Sequence, residues 1–475
     1  MSALWTASEI AAATGGVMSE PFEVTGISID SRTTQPGDLF VALIDARDGH
    51  DYIDAAIRAG AAGVLCSKPT DAPHVIVADT FQALEALGQA GRNRCAAQRV
   101  AVTGSVGKTS VKDALAVMLE GFGRVHRSQR SFNNHLGVPI TLATMPRDTD
   151  FAVFETGMNH AGELTELSRQ VAPHVALITN VGGAHAGNFE SIEAIADAKA
   201  EIAAGLVEGG TLILNAENHY TPRIIETLGL EPIYGGVSFF GRSASVAIPD
   251  MDPDLSTRSS SPVQSPVEYQ IHSEESGPTG GRLVIKNRSQ FVEVSHSLVG
   301  AHWGLNIAAC LAVADTLGID MAQAGLALAQ VNESEGRGDT HKITLTGKTV
   351  TLVDQSYNAN PESMRAAISA AALLPGRKVA LLGDMYELGK DELDLHASLA
   401  IPLEASGFAR VITLGECMRA LRGALPTPMR GPHVDAETVR GALAAELEDG
   451  DVLLIKGSNA TGLSRLAKSL KAGEG

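Results

Sequence analysis

The residues best suited to chemistry are those of TGSVGKTS, Thr103 to Ser110, set between the apolar run RVAV and the helical pattern VKDALAVML. A glycine-rich turn at a helix start aims backbone N–H groups and the positive helix end at phosphate oxygens. Gly104, Ser105 and Gly107 would form that cradle, Lys108 would reach the terminal phosphates, and Thr109 and Ser110 would offer hydroxyls, Thr109 to a Mg²⁺ ion. The commoner phosphate loop carries a glycine where Val102 stands, so this is the shorter T-G-x-x-G-K-[TS] form. Further strand ends add oxygen and nitrogen donors: Glu155 in FETG, then Asn180 and His185 in TNVGGAHAGNF. A carboxylate there suits Mg²⁺, which prefers hard oxygen ligands. Lys199, in ADAKAEI, reads on its own as a solvated helix lysine.

Short Val/Ile/Leu-rich runs recur along the chain, each ending in Gly, Asn, Asp or Ser and followed by a helical pattern. FAVFETG, VALITNV, TLILNAE, TLVDQS, KVALLGD, RVITLGE and DVLLIKGS are the clearest. Strands without alternation, separated by helices, predict parallel sheets covered on both faces, with ligands at the carboxyl ends of the strands. The chain of 475 residues is too long for one core and divides into residues 1–97, 98–332 and 333–475. Between 241 and 296, SSSPVQSP and SGPTGG interrupt short β-like pieces, which reads as a β excursion rather than a further domain.

Composition narrows the class. With 44% hydrophobic and 19% charged residues the chain is an ordinary globular one. Its net charge of −18 argues against a nucleic-acid partner, though not against a local basic pocket for phosphate. Four scattered cysteines, no basic leader and no long apolar run predict a cytoplasmic protein without membrane insertion.

Taken together, TGSVGKTS, ETG, NVGGAHAGNF, Lys199, GAHWGLN, GRGD and DQSYNANPESM resemble the Mur amide ligases of peptidoglycan synthesis. RSFNNHLGVP, LLGDMYELG and IDSRTTQPGDLFVAL add to the likeness, which runs in order along nearly the whole chain. The resemblance implies an α/β protein of three domains: a central P-loop parallel-sheet ATPase domain flanked by an N-terminal α/β UDP-substrate domain and a C-terminal Rossmann-like domain. It implies ATP and two Mg²⁺ ions, held by Thr109, Glu155, His185 and a carbamylated Lys199, and places Lys108, Glu155, His185 and Lys199 in the catalytic set. Asn306 would face adenine, with Arg337 and Asp354 closing over the nucleotide. Ser31 and Arg32 would contact a uridine diphosphate. Asn133, Asn134, Tyr357, Asn358 and Asn360 would line a substrate channel, and Asp384 and Lys456 would orient the incoming amine. SYNANP and LLGDMYELG are most like the branch of the family that joins D-alanyl-D-alanine to UDP-N-acetylmuramoyl-tripeptide, and a monomer is expected. A sister ligase with another acceptor, or a P-loop switch without turnover, are the readings that compete.

Overall fold

The computed structural model describes residues 3–129, 132–183, 186–229, 236–248, 263–288 and 290–473. Three larger sheets carry the architecture. Near the N-terminus, five strands assemble in the order Val17–Met18, His74–Ile76, Gly63–Cys66, Asp38–Val41, Gly26–Ser28. The middle of the chain builds a nine-stranded sheet and the C-terminal part a six-stranded one.

The nine-stranded sheet explains why its strands read as unbroken apolar runs. Along Gln98–Thr103, Val100 and Val102 point into a core formed with Leu115, Leu119, Ile307 and Leu311, while Ala101 points into the opposite core with Phe154, Leu167 and Ile195. Both faces are covered, so alternation has no polar side to occupy. Each fully buried Leu or Phe in these layers contributes about 1.5–3 kcal/mol of transfer free energy. The parallel register sets Glu155 opposite Val102 and Ile178 opposite Thr103. The phosphate loop, Glu155 and the segment from Thr179 therefore leave the sheet at one edge.

Beyond Phe240 the same sheet changes direction. Tyr269–Gly277, Gly280–Asn287 and Gln290–His296 form an antiparallel meander that extends it, with alternating burial along Gln290–His296. The later part of the β excursion expected from the sequence thus belongs to the central sheet, which is mixed rather than purely parallel, while Ser245–Ile248 and Val263–Pro266 pair as a separate antiparallel ribbon.

In the six-stranded sheet the order is Asp339–Leu345, Lys348–Asp354, Val452–Lys456, Lys378–Gly383, Phe408–Leu414, Arg430–Val434. Its two edge strands lie outside the sequence reading. Asp339–Leu345 is largely exposed and Arg430–Val434 contains Gly, Pro and His, so neither carries the fully buried apolar signature. The inner strands place Asp354 beside Ile455 and Leu382 beside Lys456, again at one edge. The helix Pro361–Ala372 that follows is started by local chemistry: Asn360 Oδ1 accepts from the Ser363 N–H at 2.8 Å, Ser363 Oγ accepts from the Asn360 N–H at 3.0 Å, and Pro361 needs no donor partner.

The N-terminal unit is anchored to the middle of the chain through Trp5, whose short strand pairs with Glu23–Val24. The Trp5 indole N–H donates to the Ala143 carbonyl at 2.7 Å, and the Arg94 guanidinium stacks over the Trp5 ring at 3.4 Å. Among the described residues no helix is long and apolar enough to cross a membrane.

Candidate functional site

The phosphate loop is shaped by its glycines and by a neighbouring strand end. Gly104 has φ 148° and a Cβ there would fall 2.0 Å from Thr179 Oγ1; Gly107, with φ 87°, opens the helix Lys108–Glu120. Both positions exclude a side chain for backbone reasons. The Ser105 N–H donates to the Asn180 carbonyl and the Val106 N–H to Asn180 Oδ1, each at 3.0 Å. Ser105 Oγ donates to the Gly182 carbonyl at 3.0 Å and accepts from the Gly182 N–H at 2.9 Å. Lys108 Nζ donates to the Gly104 carbonyl at 2.6 Å. Burial drives its ammonium below the ordinary lysine range, against the opposing pull of Glu155.

Glu155 is almost fully buried at the end of Phe151–Glu155. Its Oε2 accepts from Thr109 Oγ1 at 2.6 Å and its Oε1 from Asn133 Nδ2 at 2.9 Å. Lys199, in the helix Ile192–Ala200 capped by Ser191, is 2% exposed. Its Nζ makes no hydrogen bond or ion pair with another described residue, and burial, reinforced by the charge of Lys108, holds the amine well below the ordinary value. A solvated helix lysine is therefore not what the fold contains. His185 lies outside the described residues.

The third sheet completes the site. A cavity of about 390 Å³ is bounded by the loop Ser105–Ser110, Asn133 and Glu155 on one side and by Arg337, Tyr357 and Asn360 on the other. Asn306 and His302, from the helix His302–Thr316, close a third wall. Asn360 Nδ2 donates to the Ser105 carbonyl at 3.3 Å, so the C-terminal unit is seated directly on the phosphate loop. The Arg337 guanidinium lies over the Tyr357 ring at 4.1 Å. Lys456 Nζ donates to the Asn358 carbonyl at 2.7 Å, and burial together with the charge of Arg337 pushes its pKa down to about 7. His302 is pushed down to about 4, chiefly by burial with Lys456 adding, and is a neutral imidazole at physiological pH.

Other candidate residues sit elsewhere. Asp354 lines a second cavity of about 550 Å³, next to Arg127, Ser356 and Lys468; its Oδ2 pairs with Lys471 Nζ at 2.8 Å and its Oδ1 accepts from Ser356 Oγ at 2.5 Å. Arg337 and Tyr357 border both cavities. Asn134 lies just before the helix Gly137–Ala143, where its Oδ1 accepts from the Gly137 N–H at 3.0 Å. Asp384 is buried and accepts from the Met418 N–H at 2.8 Å, and it borders neither cavity. Ser31 and Arg32 stand on a loop of the N-terminal unit, where Arg32 pairs with Asp30 at 2.6 Å; they too border neither cavity. Sequence reasoning gave no role to Gln355, Ser363 and Asn459, all of which line the first cavity. Their only signal was adjacency to motif residues.

Comparison with known proteins decides the family. Residues 23–103 match the description "Mur ligase family, catalytic domain", residues 102–314 "Mur ligase middle domain" and residues 341–459 "Mur ligase, glutamate ligase domain". The UDP-N-acetylmuramoyl-tripeptide–D-alanyl-D-alanine ligase of Rickettsia prowazekii is 30% identical over 98% of this chain and 99% of its own. The chain belongs to the Mur ligase family. Among solved Mur ligases, MurF of Acinetobacter baumannii is similar with a TM-score of 0.81 and 27% identity, covering 98% of this chain and 99% of that one. The MurF ligase of Thermotoga maritima in complex with ADP shares the fold, with a TM-score of 0.75 at 24% identity over 95% and 98% of the two chains.

The donor chemistry of this Mur ligase site fits Mg²⁺. Thr109 Oγ1 and both oxygens of Glu155 are hard oxygen donors gathered at the phosphate loop, and the Glu155 carboxylate is buried with neutral hydrogen-bond partners, Thr109 and Asn133, and forms no ion pair with another described residue. Lys199 fits only after its amine loses its charge, the condition that its burial favours.

Proposed function

We propose that this Mur ligase joins D-alanyl-D-alanine to the tripeptide carboxylate of UDP-N-acetylmuramoyl-tripeptide, converting ATP to ADP and phosphate. One observation carries the reading beyond the family: a single cavity is bounded by the phosphate loop and by Tyr357 to Asn360, so the group that activates and the group that accepts can meet. The likeness to D-alanyl-D-alanine-adding relatives along nearly the full length supports the same acceptor.

A carboxylate is a poor acyl donor. Its oxygen attacks the γ-phosphorus, the bond to the β–γ bridging oxygen breaks, and ADP leaves from an acyl phosphate. The amine then attacks the acyl carbon, the C–O bond to phosphate breaks, and the amine proton passes to solvent. Lys108 offsets the negative charge that spreads over the transferred group, and the loop N–H groups hold its oxygens in line. Arg337 approaches from the opposite wall, and the seated C-terminal unit shields the acyl phosphate from water. Asn133 fixes the Glu155 carboxylate, and Lys456 braces the Asn358 turn.

Thr109 and Glu155 would hold one Mg²⁺, and His185 with Lys199 a second. Bound there, the ions would supply charge neutralisation at the phosphate oxygens. Lys199 would serve as a carbamate: its neutral amine bonds to the carbon of CO₂ and loses a proton, leaving an anionic oxygen donor. We take residues 1–97, 98–332 and 333–475 as the working units of a monomeric enzyme. The four free cysteines support a cytoplasmic setting.

Phosphate release tests the assignment. With ATP and Mg²⁺, release should require the UDP-tripeptide and D-alanyl-D-alanine together. Full release with a free amino acid in place of the dipeptide, and none with the dipeptide, would assign the chain to a sister reaction.

A further inference from the structure

The helix Pro361–Ala372 reaches the central unit at a second place besides Ser105. Glu362 Oε1 accepts from the Gly183 N–H at 3.1 Å, and the approach is so close that a Cβ on Gly182 would fall 2.7 Å from that oxygen. Glu362 Oε2 is buried without a hydrogen-bond partner among the described residues. Farther along the same loop, the Gly187 N–H donates to the Glu387 carbonyl at 2.9 Å. Glu387 has φ 64°, a left-handed conformation that a side-chain-bearing residue holds only when its surroundings impose it. The C-terminal unit therefore grips the loop after Val175–Ile178 at Gly183 and at Gly187.

That loop is the one that backs the phosphate cradle. Asn180 accepts the N–H groups of Ser105 and Val106, and Gly182 exchanges two hydrogen bonds with Ser105 Oγ. A continuous path runs from Glu362 through Gly183 and Gly182 to Ser105, three residues before Lys108. A half-buried carboxylate is a strong acceptor for a backbone N–H, and its desolvation is offset only while that bond is made. The acceptor for the Gly183 N–H is present only in an arrangement that seats the C-terminal unit on this loop.

We propose that Glu362 is a positioning residue of the ligase site, whose bond to the Gly183 N–H makes the shape of the phosphate loop depend on the seating of the C-terminal unit. It deepens the ligase reading above and rests on it. Glu362 borders neither cavity, so it acts through the loop rather than on the reacting atoms. Acyl-phosphate formation would then be fast only in the closed arrangement, which limits futile hydrolysis of ATP.

The test compares E362A and E362Q in the full-length enzyme. Gln keeps an oxygen acceptor for Gly183; Ala does not. In E362A, kcat should fall by about tenfold or more with KM for ATP changed by less than about threefold, because small misplacements cost catalysis more than binding. Hydrogen–deuterium exchange of the peptide covering residues 180–189 should quicken about tenfold in E362A. E362Q should restore both readings to near the parent. Parent-like kcat and exchange in E362A would overturn the proposal, as would E362Q being as impaired as E362A. If the parent showed no turnover, the ligase reading would fall, and exchange would still decide whether Glu362 holds the loop.

Discussion

Lys108→Ala should reduce turnover by about two to three orders of magnitude, the scale of losing one preorganised charge contact in a water-poor site. The side chain lines the cavity, and its Nζ is already turned over the loop by the Gly104 carbonyl, so little reorganisation is needed when phosphate arrives. Arg337 stands across the cavity but is committed to the Tyr357 face, so it does not replace the missing charge. The fold should survive, because Lys108 sits at the first position of its helix and truncation there deletes no layer of the core. Steady-state kinetics beside circular dichroism check this: native-like spectra with near-parent kcat would remove the phosphate loop from the mechanism.

Lys199→Ala should abolish most activity for a different reason. Burial has already stripped the amine of the water that a lysine charge needs, and no described acid compensates it. Such a residue is a poor structural cation and a good nucleophile for CO₂. Alanine leaves a space of lysine size at that buried position, and formate or acetate can place a carboxylate there. Partial recovery is expected with either acid in Lys199→Ala and none in Lys108→Ala. Activity near the parent without added acid would eliminate the carbamate. Nucleotide affinity, read by titration with a fluorescent ATP analogue, should remain largely intact in Lys199→Ala, since the phosphate loop is unchanged.

What could be read in the sequence follows from how locally each requirement is written. Phosphate binding needs two glycines, a lysine and a hydroxyl on one turn, so TGSVGKTS is legible as it stands. Glu155 was legible because an acid ending a buried strand has few structural uses. Lys199 carried no local signal; its burial arises from helices and strands that meet only in the fold. Glu362 and Gly183 are 179 positions apart, and nothing in either neighbourhood announces the other. Asp384 closes an apolar strand just as Glu155 does, yet its carboxylate is spent on the backbone N–H groups of Cys417 and Met418. The same strand-end rule therefore leads to a cavity wall in one sheet and to a helix cap in another. The edge strands Asp339–Leu345 and Arg430–Val434 escaped because exposed strands need not be apolar.

The central claim is that the tripeptide carboxylate itself takes the γ-phosphoryl group. Labelling that carboxylate with ¹⁸O and analysing the released phosphate by mass spectrometry tests it most directly. Transfer through an acyl phosphate carries one carboxylate oxygen into each phosphate, so label should appear there in step with amide formed. Unlabelled phosphate released alongside full amide formation would contradict the account.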